Sequence, residues 1–131
     1  MKKIITLLGC ILFTVNTTVS SAPAIEVVTT HTPTPRELVG IKSKEYGVSE
    51  SVMINIINCE NREWDTNLQS RIISNGTRED SWGLVQIHLP SHPNITKEQA
   101  TDPEFAIDFL AKNISKGQIR MWSCARILGY V

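Results

Sequence analysis

Very little in this chain is present in excess. Aromatic residues make up 6% of its 131 residues, basic and acidic residues balance at 13 each, and there are three cysteines. Balanced charge leaves no electrostatic footprint for nucleic acid, so no nucleic-acid partner is expected. No internal repeat or low-complexity tract organises the chain beyond one short Thr/Pro-rich stretch. The longest apolar run, Ile4 to Val15, has 12 residues, short of the roughly 20 that a membrane-spanning helix needs. His88 and His92 stand four apart like helical zinc ligands, but Pro90 and Pro93 break the helix and no HExxH surrounds them. Neither metal nor other cofactor is expected. What remains, 41% hydrophobic and 20% charged residues, suits one monomeric domain with one modest core.

The first residues read as an export signal. Lys2 and Lys3 precede the apolar run, and the small residues of "VSSAPA" follow it, which places cleavage after Ala24, with Ser21 as the rival position. Cys10 in "LLGC" also fits a lipidation site, but that reading shortens the apolar core to Ile4–Leu8. Removing residues 1–24 leaves 11 basic against 13 acidic residues and two cysteines, Cys59 and Cys124. An even number in an oxidising compartment is expected to pair. Residues 25–35, "IEVVTTHTPTP", read as an extended spacer, and residues 36–131 as the folded domain.

Four helical stretches and one irregular region are expected in that domain. "RELVGIKSKEYG" puts Leu38 and Ile41 on one stripe and ends at Gly47. Ser49 can cap "ESVMINIINCEN", where Val52, Ile56 and Cys59 form one row and Met53, Ile57 and Glu60 the next. "LQSRIISNGTRED" carries the Asn75-Gly76 signal of a small hairpin. "SWGLVQI" is strand-like in content, but its glycine and the following "HLPSHP" allow only a short element. Asp102 and Pro103 open a helix with Phe105, Phe109, Leu110 and Ile114 inward and Gly117 as its stop. "IRMWSCARIL" brings Trp122 and Cys124 to a last helical element.

Glu60 is the residue with chemistry to offer. It stands at a helix C-terminus on the edge of an apolar face, where the macrodipole and partial desolvation both disfavour its ionised form. A carboxylic acid that holds its proton near neutral pH can protonate a leaving alkoxide, as glycosidic cleavage requires. The plainer alternative is a solvated glutamate paired with Arg62 or Lys44.

The segments "CENREW", "SWGLVQIHLPSHP", "ITKEQATDPEFAIDFLAKN" and "MWSC" resemble, in order and approximate spacing, small secreted lytic transglycosylases with a lysozyme-like domain. The resemblance runs from about Arg36 to Cys124. It implies an α+β lysozyme-like fold, mainly α, with a small irregular or hairpin region beside a cleft. It also implies cleavage of peptidoglycan glycan strands between N-acetylmuramic acid and N-acetylglucosamine, giving a 1,6-anhydro product in the periplasm or at the cell wall.

On that resemblance Glu60 matches the family's acid/base, and Gly83, Leu84, Val85, Gln86 and Ile87 match its G-L-x-Q-I segment. Gln86 and Ser81 would bind the sugar's acetamido and hydroxyl groups. Trp122 would line the cleft, as one of three tryptophans able to stack on a pyranose, and Trp64 would pack below or beside the site. Two departures stand out: Asn61 replaces the usual serine after the glutamate, and "KGQIRMWSC" occupies the place of an A-Y-N tyrosine motif. A single acid/base needs no second carboxylate, so Glu79 and Asp80 read as solvated loop charges. Were any of the four candidates Glu63, Asp65, Glu79 and Asp80 a base or nucleophile, the chain would be a hydrolysing lysozyme. "NCE" in a short cysteine-stapled domain also resembles resuscitation-promoting factors, and a non-catalytic glycan-binding module on the same scaffold is the reading of a different class.

Overall fold

In a computed structural model of the chain, residues 31–131 are described. The signal segment 1–24, Cys10 and most of the 25–35 spacer lie outside them. Thr34 starts the first helix, α1 (Pro35–Tyr46), through a reciprocal capping box. Its side chain accepts from the Glu37 N–H, and Glu37 accepts from the Thr34 N–H at 2.7 Å. That N–H, the Thr34 hydroxyl and His31 pull the Glu37 carboxyl down to about 2. Gly47 closes the helix in the left-handed conformation, φ 65°.

The stripe that α1 buries is Leu38, Val39 and Ser43. Ile41, expected beside Leu38, is 49% exposed. The burial centre is turned toward Val39, and the Lys42 flank faces the helix α4 (Pro103–Ser115). There Lys42 Nζ lies 3.1 Å from Asp108, and the Tyr46 hydroxyl donates to Asp108 at 3.0 Å. Polar contacts thus fix α1 on α4 along a side that hydrophobic spacing does not mark.

The second helix, α2 (Glu50–Glu60), is capped by Ser49 and buries Met53, Ile56 and Ile57 completely. Beyond it the chain makes two small antiparallel pairs. In the first, β1 (Ile73–Ser74) and β2 (Thr77–Arg78) are joined by Asn75 and Gly76, both at positive φ (52° and 78°), the two-residue turn that the Asn-Gly signal predicts. In the second, β3 (Ser81–Trp82) and β4 (Ile87–His88) flank a turn from Gly83 to Gln86. "SWGLVQI" is therefore two short strands around a turn, and that turn delivers Leu84, Val85 and Ile87 to the core.

A short helix that the periodicity does not reveal, α3 (Lys97–Thr101), starts from a second capping box, Thr96 with Gln99. On α4, Leu110 is fully buried as expected, together with Ala106, Ile107 and Ala111. Phe105, Phe109 and Ile114 are only half-buried and pack around the core's margin. After Gly117 (φ 74°) and a 3-10 turn at Ile119–Met121 comes α5 (Ser123–Ile127). The protein is mainly helical, α1 packing against α2 and α4, with two small antiparallel strand pairs. Among the described residues no helix is long and apolar enough to cross a membrane.

Candidate active site

Glu60 is the last residue of α2 because Asn61 leaves helical geometry at φ −150°, ψ 81°. Asn61 is 1% exposed and uses its whole amide. Its Nδ2 donates to the carbonyls of Asp65 (2.7 Å) and Gly83 (3.2 Å), and its Oδ1 accepts from the Asp65 N–H at 3.1 Å. This side chain bolts the end of α2 to the β3–β4 turn. A serine is too short to bridge both, which gives the departure at this position a physical meaning.

On the other side of Glu60, Cys59 is bonded to Cys124 in α5, as expected from the cysteine count. The bond brings the first turn of α5 against the glutamate, and Glu60 Oε1 accepts the Cys124 N–H at 3.3 Å. The Ser123 side chain also engages Glu60. The first turn of α5 thus contacts the Glu60 carboxyl directly.

A cavity of about 710 Å³ opens beside Glu60, and Glu79, Ser81, Gln86, Trp122 and Ser123 help to line it. Ser81, 3% exposed, forms part of its floor. Gln86 sits at φ 50° and donates Nε2 to the carbonyls of Leu68 (3.2 Å) and Gly83 (2.9 Å). Both amide hydrogens are thereby committed to the backbone, and the amide oxygen is what Gln86 can offer a ligand. Trp122 is 5% exposed, donates Nε1 to the Val85 carbonyl at 2.8 Å and meets Phe109 edge-on. It acts as a wall of the cavity; little of its face is open for stacking.

One expectation needs correction. Glu79 is no solvated loop charge: it is half-buried on the hairpin side of the cavity, and the buried Ser70 hydroxyl donates to its Oε2 at 2.8 Å. Across the hairpin arms Glu79 stands opposite Ile72, to whose carbonyl its N–H donates at 2.9 Å, and Ser70 reaches it diagonally, a contact that no motif in the loop sequence marks. Asp80 is exposed as expected, and accepts the Trp82 indole N–H at 2.6 Å. Trp64 stands outside the cavity lining. It donates to Asn58 at 2.7 Å and carries the Arg36 guanidinium 4.1 Å above its ring.

The electrostatics of Glu60 follow from these neighbours. Burial, first, and the negative charge of Glu79 raise its pKa above the ordinary carboxylate value, against the Cys124 N–H and the Ser123 side chain, which favour the ionised form. Neither Arg62 nor Lys44 pairs with it; among the described residues its carboxyl takes part in no ion pair. His88, bonded to Ser91 at 2.7 Å, and His92, edge-on to Phe109, are engaged separately. Among the described residues no group of three or more His, Cys, Asp or Glu could hold a metal ion. The arrangement can deliver one proton, from Glu60, to a ligand bound over Ser81 and Gln86. Comparison with family models, with curated proteins and with solved structures finds no match to this chain.

Proposed function

We propose that the chain is an exported peptidoglycan lytic transglycosylase with a lysozyme-like fold. The observation that carries this reading is Glu60, a half-buried carboxyl without a cation, biased toward its protonated form at the edge of a large open cavity. Glu60 donates its proton to the glycosidic oxygen as the bond from N-acetylmuramic acid to N-acetylglucosamine breaks, and the glucosamine leaves as an alcohol. The carboxylate so formed takes the proton of the muramoyl C6 hydroxyl, whose oxygen closes on C1. The glutamate is regenerated, no water is consumed, and the product is a 1,6-anhydro sugar. Ser81 and the Gln86 oxygen orient the acetamido and hydroxyl groups, and Trp122 bounds the cavity.

Glu79 favours a second reading. A second carboxylate bordering the same cavity is what a hydrolysing lysozyme would use to activate water or to attack C1. Mass analysis of the muropeptides released from purified cell wall separates the readings. Anhydro products support the transglycosylase; products one water heavier support the lysozyme. Binding to cell wall with no release would leave only a glycan-binding module.

A further inference from the structure

The mechanism above uses one carboxyl, yet two carboxyls border the cavity and the second is built in with care. Glu79 follows β2 on the hairpin side, with its backbone N–H bonded to Ile72 and its carbonyl accepting from Gln69 Nε2 at 3.4 Å. Ser70, 4% exposed, donates to its carboxylate while accepting the Ile72 N–H at 3.2 Å. A surface glutamate needs no such anchorage, and holding a partly buried charge against its own hydration costs free energy. Three other charged or titratable residues, Arg62, Glu63 and Arg71, border the cavity from α2's end and the hairpin arm, and His88 borders it from β4. Arg71 lies 3.4 Å from Glu63. The wall from Met121 to Ile127 contributes no ionisable side chain to the lining. Of these, Glu79 is the carboxylate that a buried hydroxyl holds in place on the cavity that Glu60 also lines, and its negative charge is one of the causes that raise the Glu60 pKa.

We propose that Glu79, fixed by Ser70 on the hairpin side of the cavity that Glu60 also lines, is a positioning residue that acts through Glu60 and readies the general acid for the step in which the glycosidic bond breaks. The proposal rests on Glu60 being the acid, and it gives the hairpin a purpose. Without the hairpin Glu79 would lie on an unconstrained loop, where solvent screens its effect.

The test uses the disulfide-bonded chain with 13C-carboxyl-labelled glutamate, followed by NMR titration of Glu60 in the unaltered protein, Glu79→Gln, Ser70→Ala and the control Glu104→Gln, which removes a charge outside the cavity. The same proteins are assayed for muropeptide release from purified cell wall across pH. In Glu79→Gln the Glu60 midpoint should fall, and the alkaline limb of kcat/KM should move down with it. Above that limb kcat/KM should drop roughly three- to tenfold while the acid-side plateau is kept. Ser70→Ala should move both in the same direction by less, and Glu104→Gln should move neither. An unchanged Glu60 midpoint in a folded Glu79→Gln protein overturns the proposal. So does loss of activity at every pH together with hydrated products from the unaltered chain, since Glu79 would then be a base in its own right. If the unaltered chain releases nothing, the transglycosylase reading fails, while the titration still decides whether Glu79 acts on Glu60.

Discussion

Ionising Glu60 costs more in the folded chain than in the unfolded one, because burial and Glu79 outweigh the two donors on α5. A carboxyl whose folded value is raised binds its proton more tightly in the native state. Its contribution to stability therefore falls as pH rises from the ordinary carboxylate range through the folded value, and stays unfavourable above it. Glu60→Gln removes that penalty and keeps an oxygen for the Cys124 N–H. It should cut muropeptide release at least about a hundredfold and yet raise Tm at neutral pH, with the gain disappearing below the carboxylate range. Thermal melts across pH, beside the activity assay, check both halves; a variant that keeps near-normal activity would remove Glu60 from the mechanism. One position along, Asn61→Ala strips partners from two carbonyls and an N–H at a buried junction. A loss of about 2–3 kcal/mol is expected in denaturant unfolding. Asn61→Ser should recover only part of it, the shorter side chain being unable to span from Asp65 to Gly83.

At the scale of elements, the β3–β4 turn is the piece with the least freedom. Gly83 is at φ 80°, and a Cβ there would stand 1.9 Å from the Ala100 carbonyl oxygen. α3 thus packs directly on the turn that holds Gln86. Gly83→Ala should cost about 2–5 kcal/mol, from the strained dihedral together with the overpacking, and should weaken cell-wall binding through displacement of Gln86. A Gly83→Ala protein with unchanged unfolding midpoint would contradict this packing. Such close approaches leave little trace in a sequence. The long helices were legible because Ser49 and Asp102 cap two of them and Gly47 and Gly117 stop two, and the hairpin because Asn75-Gly76 permits few other shapes; the start of α1 was set at Arg36 because Thr34 and Pro35 read as the end of the Thr/Pro-rich spacer, whereas they are its cap and first residue. α3 was missed although Thr96 and Gln99 spell a capping box, since five residues are too few to show a period. Ile41 was misplaced because Lys42 and Tyr46 turn α1 by polar contacts on α4, which a count of apolar spacings does not weigh. In the candidate site, Glu60 and Gln86 were marked by their motifs. The engagement of Glu79 depends on how Ser70 lies across the hairpin, a tertiary fact that a loop sequence does not carry.

For the whole molecule, the one covalent cross-link among the described residues is Cys59–Cys124, at a sequence separation of 65. It joins the residue before Glu60 to the element whose Cys124 N–H donates to Glu60, so it constrains the unfolded chain and shapes the cavity together. In the chain-entropy view a loop of this size is worth about 4 kcal/mol. Apart from the disulfide, α5 is held mainly by Cys124 and the fully buried Ala125, while Ile127 is 76% exposed. Opening the bond should therefore loosen α5 before the helices α1, α2 and α4 separate. Cys59→Ser/Cys124→Ser should lower the unfolding free energy by a few kcal/mol. Hydrogen exchange should rise first at α5, including the Cys124 N–H that Glu60 accepts. Activity should fall in a preparation that circular dichroism still finds helical, because the carboxyl would lose its donors while α2 remained intact. If α5 exchanged no faster and Glu60 titrated as before, the disulfide would be a staple for stability alone, and the positioning of the acid would have to come from the Asn61 side of the helix end.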